Sequence, residues 1–441
     1  MADHATSSAP AVQAQLDRLW ALSPGADILG LERITRLLAR LGNPERRLPP
    51  VFHVAGTNGK GSTCAFLRAA LEAAGHRVHV YSSPHLVRFN ERIRLAGRLI
   101  DDDALAALLA DVLDQADGIG ASFFEVTTAA ALLAFARTPA DACVVEVGLG
   151  GRLDATNVLL RPAACGIAQL GVDHEAFLGS DPVGIAREKA GVAKPHAPLV
   201  TLAYDQAITA AVNDVATVAG APVLALGRDW HIQHHASGSR YRDAHGTLDL
   251  PHPTLAGSHQ VLNAGLAAAM LRYQTQVAVP DAALQAMPLA ARWPARMQRL
   301  RDGPLTRRLS PEQRQFGVWL DGAHNLAAAQ AIGDTWTNGV ATAVVAGMLA
   351  NKDAEGVIAE LVDTSSACTF VGVPVPGHAH HAPEDLATLA RDHGATAAYA
   401  ARSIEDAFDL LARTGGGSSV LVAGSLYLAG LVLTANGELP D

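Results

Sequence analysis

Residues 51–63 read VFHVAGTNGKGST, and no other segment constrains the chain so tightly. An apolar run from Val51 to Ala55 enters a tight glycine turn carrying one lysine, Lys60, and a hydroxyl pair, Ser62 and Thr63. A helical pattern, FLRAALEAA, follows and stops at Gly75. Strand, glycine loop and helix in that order form a phosphate cradle. Glycines let backbone N–H groups face an anion, and the helix N-terminus adds partial positive charge. The lysine brings a full charge to the terminal phosphates, and a hydroxyl can hold Mg2+. The strict pattern G-x-x-x-x-G-K-[ST] is not met: Val54 stands where the first glycine belongs, and Gly61 is inserted between Lys60 and Ser62. The segment is a variant phosphate loop. A plain turn would account for the glycines, but the lysine and the helix favour a nucleotide site.

Composition narrows the class. A chain of 441 residues suits two or three domains. A formal charge of -9 argues against nucleic acid as a partner, since such footprints are basic. Cys64, Cys143, Cys165 and Cys368 lie far apart with no CxxC pair, so neither a zinc framework nor a disulfide scaffold is expected. The start, MADHATSSAP, has an early Asp and no apolar core, unlike a signal peptide. No uninterrupted apolar run reaches the ~18 residues of a membrane span. The expected setting is a reducing cytoplasm, with no membrane partner.

Apolar strands alternate with helical patterns: VFHVA (51–55), RVHVY (77–81) and ACVVEV (142–147), with helices near 101–116 and 126–136. That alternation predicts an α/β fold with a mostly parallel sheet. From 223 to 251 the runs VLALGRDWHIQ and SRYRDAHGTLDLP alternate and hold turn residues, predicting an antiparallel hairpin insert. A helix is expected at 260–273, then a Pro- and Arg-rich stretch, 286–311, containing the domain boundary. VWLDG, ATAVVAGM, ACTFVGV, TAAYA and SVLVAGS then predict a second, Rossmann-like α/β unit. The expected division is 1–292, an ATP-binding domain, and 293–441, a C-terminal domain.

Two further segments carry chemistry. In EVGLGGRLDATN (146–157), Glu146 ends an apolar strand, where parallel sheets bind ligands, and a carboxylate there can hold the Mg2+ that bridges phosphates. The bland alternative is a strand-end Glu capping a helix or paired with Arg152; the glycines behind it favour close approach to a ligand. Asp154 and Asn157 either orient substrate or close a turn. In GVDHEAFLGSDPVGIAREKAGVAKP (171–195), His174 and Lys189 read by themselves as a hydrogen-bonding His and a solvated helix Lys.

Together these residues resemble the dihydrofolate synthase/folylpolyglutamate synthase family of the Mur ligases. The motifs are HVAGTNGKGS (53–62), YSSPHLVRFNERIR (81–94), FFEVTT (123–128), EVGLGGRLDATN (146–157), DHEAFLG (173–179), IAREKAG (185–191), LDGAHN (320–325) and GML-x-x-KD (347–353). The resemblance implies that Thr57, Asn58, Gly59 and Lys60, with Gly61 and Ser62, hold the ATP phosphates. It implies Asn263, Arg296, Asp321 and His324 as further nucleotide-side residues, the last two reaching ATP only when the domains close. Ser83 and Glu146 would hold one Mg2+, and His174 and Lys189 a second, with Lys189 carbamylated so that an amine becomes a carboxylate. The pterin would lie against Leu29, Ser122, Phe123, Phe124, Glu125, Leu153, Asp154 and Ala155. Lys60, Glu146, His174 and Lys189 would carry the catalysis, and a monomer is the family expectation.

The implied reaction is ATP-driven amide formation. The γ-phosphoryl activates the carboxylate of dihydropteroate or a reduced folate, and the amine of L-glutamate attacks the acyl phosphate. Three places depart from the family pattern. Pro294-Ala295-Arg296 replaces PGR, Asn351-Lys352-Asp353 replaces DKD, and the early motif reads Asp27-Ile28-Leu29-Gly30-Leu31. Two other readings compete: a Mur-type ligase acting on a UDP-sugar, which the ~50 residues before the phosphate loop disfavour, being fewer than a domain needs, and a non-catalytic nucleotide sensor.

Overall fold

The computed structural model describes residues 6–22, 29–336, 342–364, 368–415 and 419–441, so Asp27 and Ile28 of the early motif lie outside the described residues. It divides into two compact units. One runs to Thr254 and resumes over Gln260–Arg292; the other joins Leu255–His259 to Trp293–Asp441.

The first unit is built on an eight-stranded sheet of β1 (Val51–Ala55), β2 (Val78–Tyr81), β3 (Ile93–Leu95), β4 (Arg98–Leu99), β5 (Ala142–Glu146), β6 (Ala164–Ile167), β7 (Leu199–Thr201) and β8 (Val223–Ala225). The order is β4-β3-β2-β5-β1-β6-β7-β8. The β3 and β4 pairings are antiparallel and the rest are parallel. β1 and β5 are central and buried along their whole length, as near-continuous apolar strands covered on both faces must be. Their register sets Val54 beside Glu146 and Ala55 beside Ile167, so the phosphate loop and Glu146 leave neighbouring strands at one edge of the sheet. The helix Phe123–Arg137 carries an apolar surface almost all round and lies inside the main core with Leu105, Leu109 and Phe135.

The stretch 223–251 differs from the hairpin expectation. Val223–Ala225 is the edge strand of the parallel sheet, paired with β7, and the insert is a separate three-stranded antiparallel sheet. Its strands are β9 (Trp230–His235), β10 (Gly238–Asp243) and β11 (Gly246–Leu250), in the order β11-β10-β9. Three residues are too few for a period to show which sheet they join. The break lies at Gly227, whose φ of +88° suits glycine, and at Asp229, whose carboxylate accepts from Ala225 N at 2.7 Å. The insert is anchored through Trp230 against Gly265 and through Arg272, which donates to Asp243 at 2.8 Å.

The second unit holds a six-stranded sheet of β12 (Gln298–Arg299), β13 (Val318–Leu320), β14 (Thr342–Ala346), β15 (Thr369–Gly372), β16 (Ala397–Ala400) and β17 (Ser419–Ala423), ordered β12-β13-β17-β14-β15-β16. Five strands are parallel. The antiparallel edge strand β12 was not expected from the Arg-rich sequence that contains it. The arginines around it act locally: Arg301 pairs with Glu438, Arg307 and Arg314 with Asp302, and Arg308 with Asp409. Among the described residues no helix is long and apolar enough to cross a membrane.

Candidate active site

The phosphate loop is shaped by its glycines. Gly59, at φ +81°, precedes the helix Lys60–Ala73, and a Cβ there would sit 2.5 Å from Asn263 Oδ1. Asn263, from the helix His259–Tyr273, is buried over the loop and donates to Gln260 at 3.1 Å. Thr57 fastens the other side: its hydroxyl donates to Gly171 O at 2.8 Å, and its N–H donates to Gln169 O at 2.8 Å. Asn58 N–H reaches the same Gln169 carbonyl at 3.2 Å. Gly61 and Ser62 are buried in the first helical turn, where N–H groups are spare.

Two lysines meet at one carbonyl. Lys60 Nζ donates to Gly56 O at 3.1 Å, and Lys189 Nζ donates to the same oxygen at 3.0 Å. Lys189 is only 3 % exposed and lies in the last turn of the helix Pro182–Ala190. Burial, and then the Lys60 charge, bring its pKa down from 10.5 to about 7, against the opposing pull of Asp173 and Asp154. A substantial fraction of this amine is therefore neutral near pH 7. The solvated lysine that the residue type alone suggests is not what forms.

The loop after Glu146 is fitted to that helix. A Cβ on Gly151 would lie 2.7 Å from Glu188 O and 2.8 Å from Lys189 O, and a Cβ on Gly148 would strike the Phe124 ring at 2.2 Å. Arg152 pairs with Glu188 at 2.8 Å, which answers the alternative that placed it on Glu146. Glu146 itself is 5 % exposed, and its charge is felt at both Cys64 and Tyr81. Ser83 follows β2, the strand beside β5, so it stands at the same edge of the sheet as Glu146. Asp154 closes the turn. One oxygen accepts from Leu149 N at 2.8 Å, and the other from Thr156 N at 2.9 Å and from the Thr156 hydroxyl. Burial raises its pKa. Asn157 donates to Arg152 O and Gly191 O and accepts from Lys194 Nζ at 2.6 Å, tying the loop to the end of the Lys189 helix. His174 sits at φ +56° before the short helix Glu175–Leu178, with Nε2 4.0 Å from its neighbour Asp173.

The residues expected around the pterin divide by environment. Ser122 and Glu125 cap the same helix reciprocally, Ser122 N donating to Glu125 Oε2 at 2.7 Å, and Arg33 donates to that oxygen at 2.9 Å. Phe123 is in the core, 5.0 Å from Trp20 and 6.0 Å from Phe89. Phe124 is half-buried, 6.2 Å from Tyr81. Leu29 and Leu153 are also half-buried, and Ala155 is buried. Arg33 was not foreseen; as the basic partner of a buried Glu it had no local motif to announce it.

In the second unit Asp321 binds two backbone amides, Met297 N and Ala323 N, each at 2.8 Å, and burial raises its pKa. It thereby holds the turn Pro294–Met297, in which Ala295 takes φ +52°. That is the left-handed conformation glycine adopts freely, so alanine holds this turn at some strain. Arg296 donates to Ala295 O at 2.8 Å. His324 Nδ1 lies 2.9 Å from Gly322 O. In the NKD segment, Asp353 caps the helix Ala354–Asp363.

Residues 307–426 match the family model described as Mur ligase, glutamate ligase domain. The dihydrofolate synthase/folylpolyglutamate synthase of Escherichia coli is 38 % identical over 338 residues, 76 % of this chain and 75 % of that protein. The chain belongs to the dihydrofolate synthase/folylpolyglutamate synthase family. Like its family it is an ATP-dependent ligase of the Mur ligase superfamily. The probable bifunctional folylpolyglutamate synthase/dihydropteroate synthase of Halobacterium salinarum is 36 % identical over 420 residues, and this chain spans about half its length (90 % of this chain, 48 % of that protein). Among solved structures, E. coli FolC in complex with DHPP and ADP superposes with a TM-score of 0.84 at 32 % identity, covering 97 % of both chains. A bifunctional family structure with Mn, AMPPNP and L-glutamate bound gives a TM-score of 0.83 at 31 % identity, covering 97 % of this chain and 98 % of that one.

Proposed function

We propose that this ligase joins L-glutamate to dihydropteroate, forming dihydrofolate, and to reduced folates, extending the glutamate tail. The observation that carries the reading is the coincidence in one unit of a phosphate loop under Asn263, two lysines on the Gly56 carbonyl, and the buried Glu146 at the end of the adjacent strand. A nucleotide binder has no need of the second lysine or the carboxylate. Related proteins bind the ligands this reading requires: DHPP and ADP in one case, Mn, AMPPNP and L-glutamate in another.

In the proposed arrangement, residues 1–292 form the ATP-binding domain and residues 293–441 the ligase domain. Thr57 to Ser62 cradle the phosphates, with Asn263, Arg296, Asp321 and His324 as further nucleotide-side residues. Phe124, Leu29 and Leu153 offer partly exposed apolar surface to the pterin, while Ser122, Glu125, Asp154 and Ala155 shape its walls.

The donor set suits two hard divalent cations. Glu146 and Ser83 supply a carboxylate and a hydroxyl at neighbouring strand ends. Lys189 and His174 suit a second ion if Lys189 is carbamylated, for which a buried amine with pKa near 7 is chemically prepared. When bound, the ions neutralise phosphate charge in transit. Lys60 adds a fixed positive charge to the same end. The γ-phosphoryl passes to the substrate carboxylate, the glutamate amine attacks the acyl phosphate, and phosphate leaves. Lys60→Ala and Glu146→Ala test the assignment: each should abolish substrate-dependent ADP release while leaving the circular dichroism spectrum unchanged. Wild-type turnover in either variant overturns it.

A further inference from the structure

One buried chain of side chains links the phosphate-loop strand to the glycine loop, and only its last member, Asp154, has a place in the proposed pterin wall. His53 is on β1, three residues before Gly56, and is fully buried. Its Nε2 lies 2.8 Å from Thr156 Oγ1. The Thr156 hydroxyl donates to Asp154 Oδ1, whose partner oxygen accepts from Leu149 N at 2.8 Å. Since the hydroxyl hydrogen goes to Asp154, the Thr156 oxygen accepts, and His53 must carry its hydrogen on Nε2. His53 Nδ1 is then an acceptor, buried with no hydrogen-bond partner among the described residues.

A buried ring with one nitrogen unsatisfied is a poor choice for packing alone. Strand positions on both sides of His53 are apolar, and an apolar residue of its size would avoid the loss. Burial, then the charge of Lys194, pushes the His53 pKa down to about 3, so the ring is neutral at every working pH and neither donates nor removes a proton in the reaction. What remains is the single directed hydrogen bond to Thr156.

We propose that His53 is a positioning residue: through Thr156 and Asp154 it sets the glycine loop, residues 147–155, relative to the phosphate-loop strand, and so sets folate against the nucleotide. The loop is fixed to the Lys189 helix through Gly151 and Asn157, and to β1 at its first residue, where Val147 N donates to Val54 O at 2.9 Å and Val147 packs in one cluster with Ala55; the His53–Thr156 hydrogen bond ties its far end. The inference rests on the reading that this loop touches the folate.

The test uses variants that separate the hydrogen bond from the volume. In His53→Gln the amide nitrogen reaches the place of Nε2, in His53→Asn it falls at Nδ1, and in His53→Met there is no donor. All are assayed in the intact protein for kcat and KM with reduced folate, Mg-ATP and L-glutamate, and for Tm. Met and Asn should lower kcat/KM for the folate at least tenfold, with the KM for ATP changing less than threefold. Gln should stay within about threefold of wild type, and Met should melt no lower than wild type because it removes the unsatisfied nitrogen. Equal losses in Gln and Met, or wild-type kinetics in Met, would overturn the proposal. Should Met fail to fold, Thr156→Val cuts the chain from the other side. It should reproduce the folate-specific loss, and a loss confined to ATP would overturn the proposal. Wild-type turnover on folate in the same assay tests the functional reading separately from His53.

Discussion

The fit of Gly59 beneath Asn263 can be tested quantitatively. In Gly59→Ala two penalties add. A residue with a Cβ in the left-handed region costs about 1–2 kcal/mol. The new methyl would also begin 2.5 Å from Asn263 Oδ1 and 3.2 Å from its Cγ, and such overpacking costs roughly 1–3 kcal/mol. The total is about 2–5 kcal/mol, equivalent to a drop of about 4–20 °C in the unfolding of the first unit at roughly 2–4 °C per kcal/mol. Calorimetry measures the melting, and titration with AMPPNP measures the site. Affinity should fall at least tenfold, the equivalent of about 1.4 kcal/mol. Asn263→Ala in the same protein removes the steric part and leaves the backbone part. The double variant should therefore cost about 1–3 kcal/mol less than the sum of the singles. A Gly59→Ala protein that melts and binds like wild type, or singles that simply add, would refute the close approach.

Gly151→Ala should destabilise by roughly 1–3 kcal/mol and lower the metal dependence of turnover, because its methyl meets the Glu188 and Lys189 carbonyls, which are backbone and cannot swing aside; unchanged melting and activity would contradict this. Arg272→Met leaves the Asp243 carboxylate, whose side chain is 0 % exposed, without its cation and with the Tyr241 hydroxyl and His245 N still donating to it, and should cost about 3–5 kcal/mol in denaturant titration, with Asp243→Asn recovering part of the loss. In metal-free, nucleotide-free protein, Lys189 binds a proton below pH ~7 when folded but up to pH ~10.5 when unfolded. Between those values the unfolded state holds more protons, so this residue makes stability rise with pH, while below about 7 the burial penalty is present in full. The stability of Lys189→Met relative to wild type should accordingly be greatest below pH 7 and decline toward pH 10; a pH-independent difference would contradict the shifted amine.

Much of the fold was legible because the governing signals are local. The run Val51–Ala55 followed by glycines and Lys60 could form little other than a central strand, a turn and a helix, and the five later apolar runs all became strands. The strand β8 was misread because Val223–Ala225 is three residues long, and its sheet is decided by Leu199–Thr201 alongside it rather than by its own pattern. β12 was invisible because Gln298 and Arg299 carry no apolar alternation; their pairing with Trp319 and Leu320 makes them a strand. Site contacts between distant segments were the least legible. Arg33 with Glu125 lies 92 residues apart in sequence, and His53 with Thr156 lies 103 apart. Ala295 shows the converse: the departure from PGR was visible in the sequence, but only the backbone shows that the alanine takes a left-handed conformation.

The most direct test of the account is the product itself. Purified protein is incubated with Mg-ATP and L-glutamate plus dihydropteroate in one reaction and a reduced folate in another, and mass spectrometry follows glutamyl addition alongside ADP release. A bifunctional synthase gives glutamylated product from both acceptors, with one ADP for each bond formed. ADP release without glutamylated product, or silence with both acceptors from protein that still binds ATP, would contradict the account.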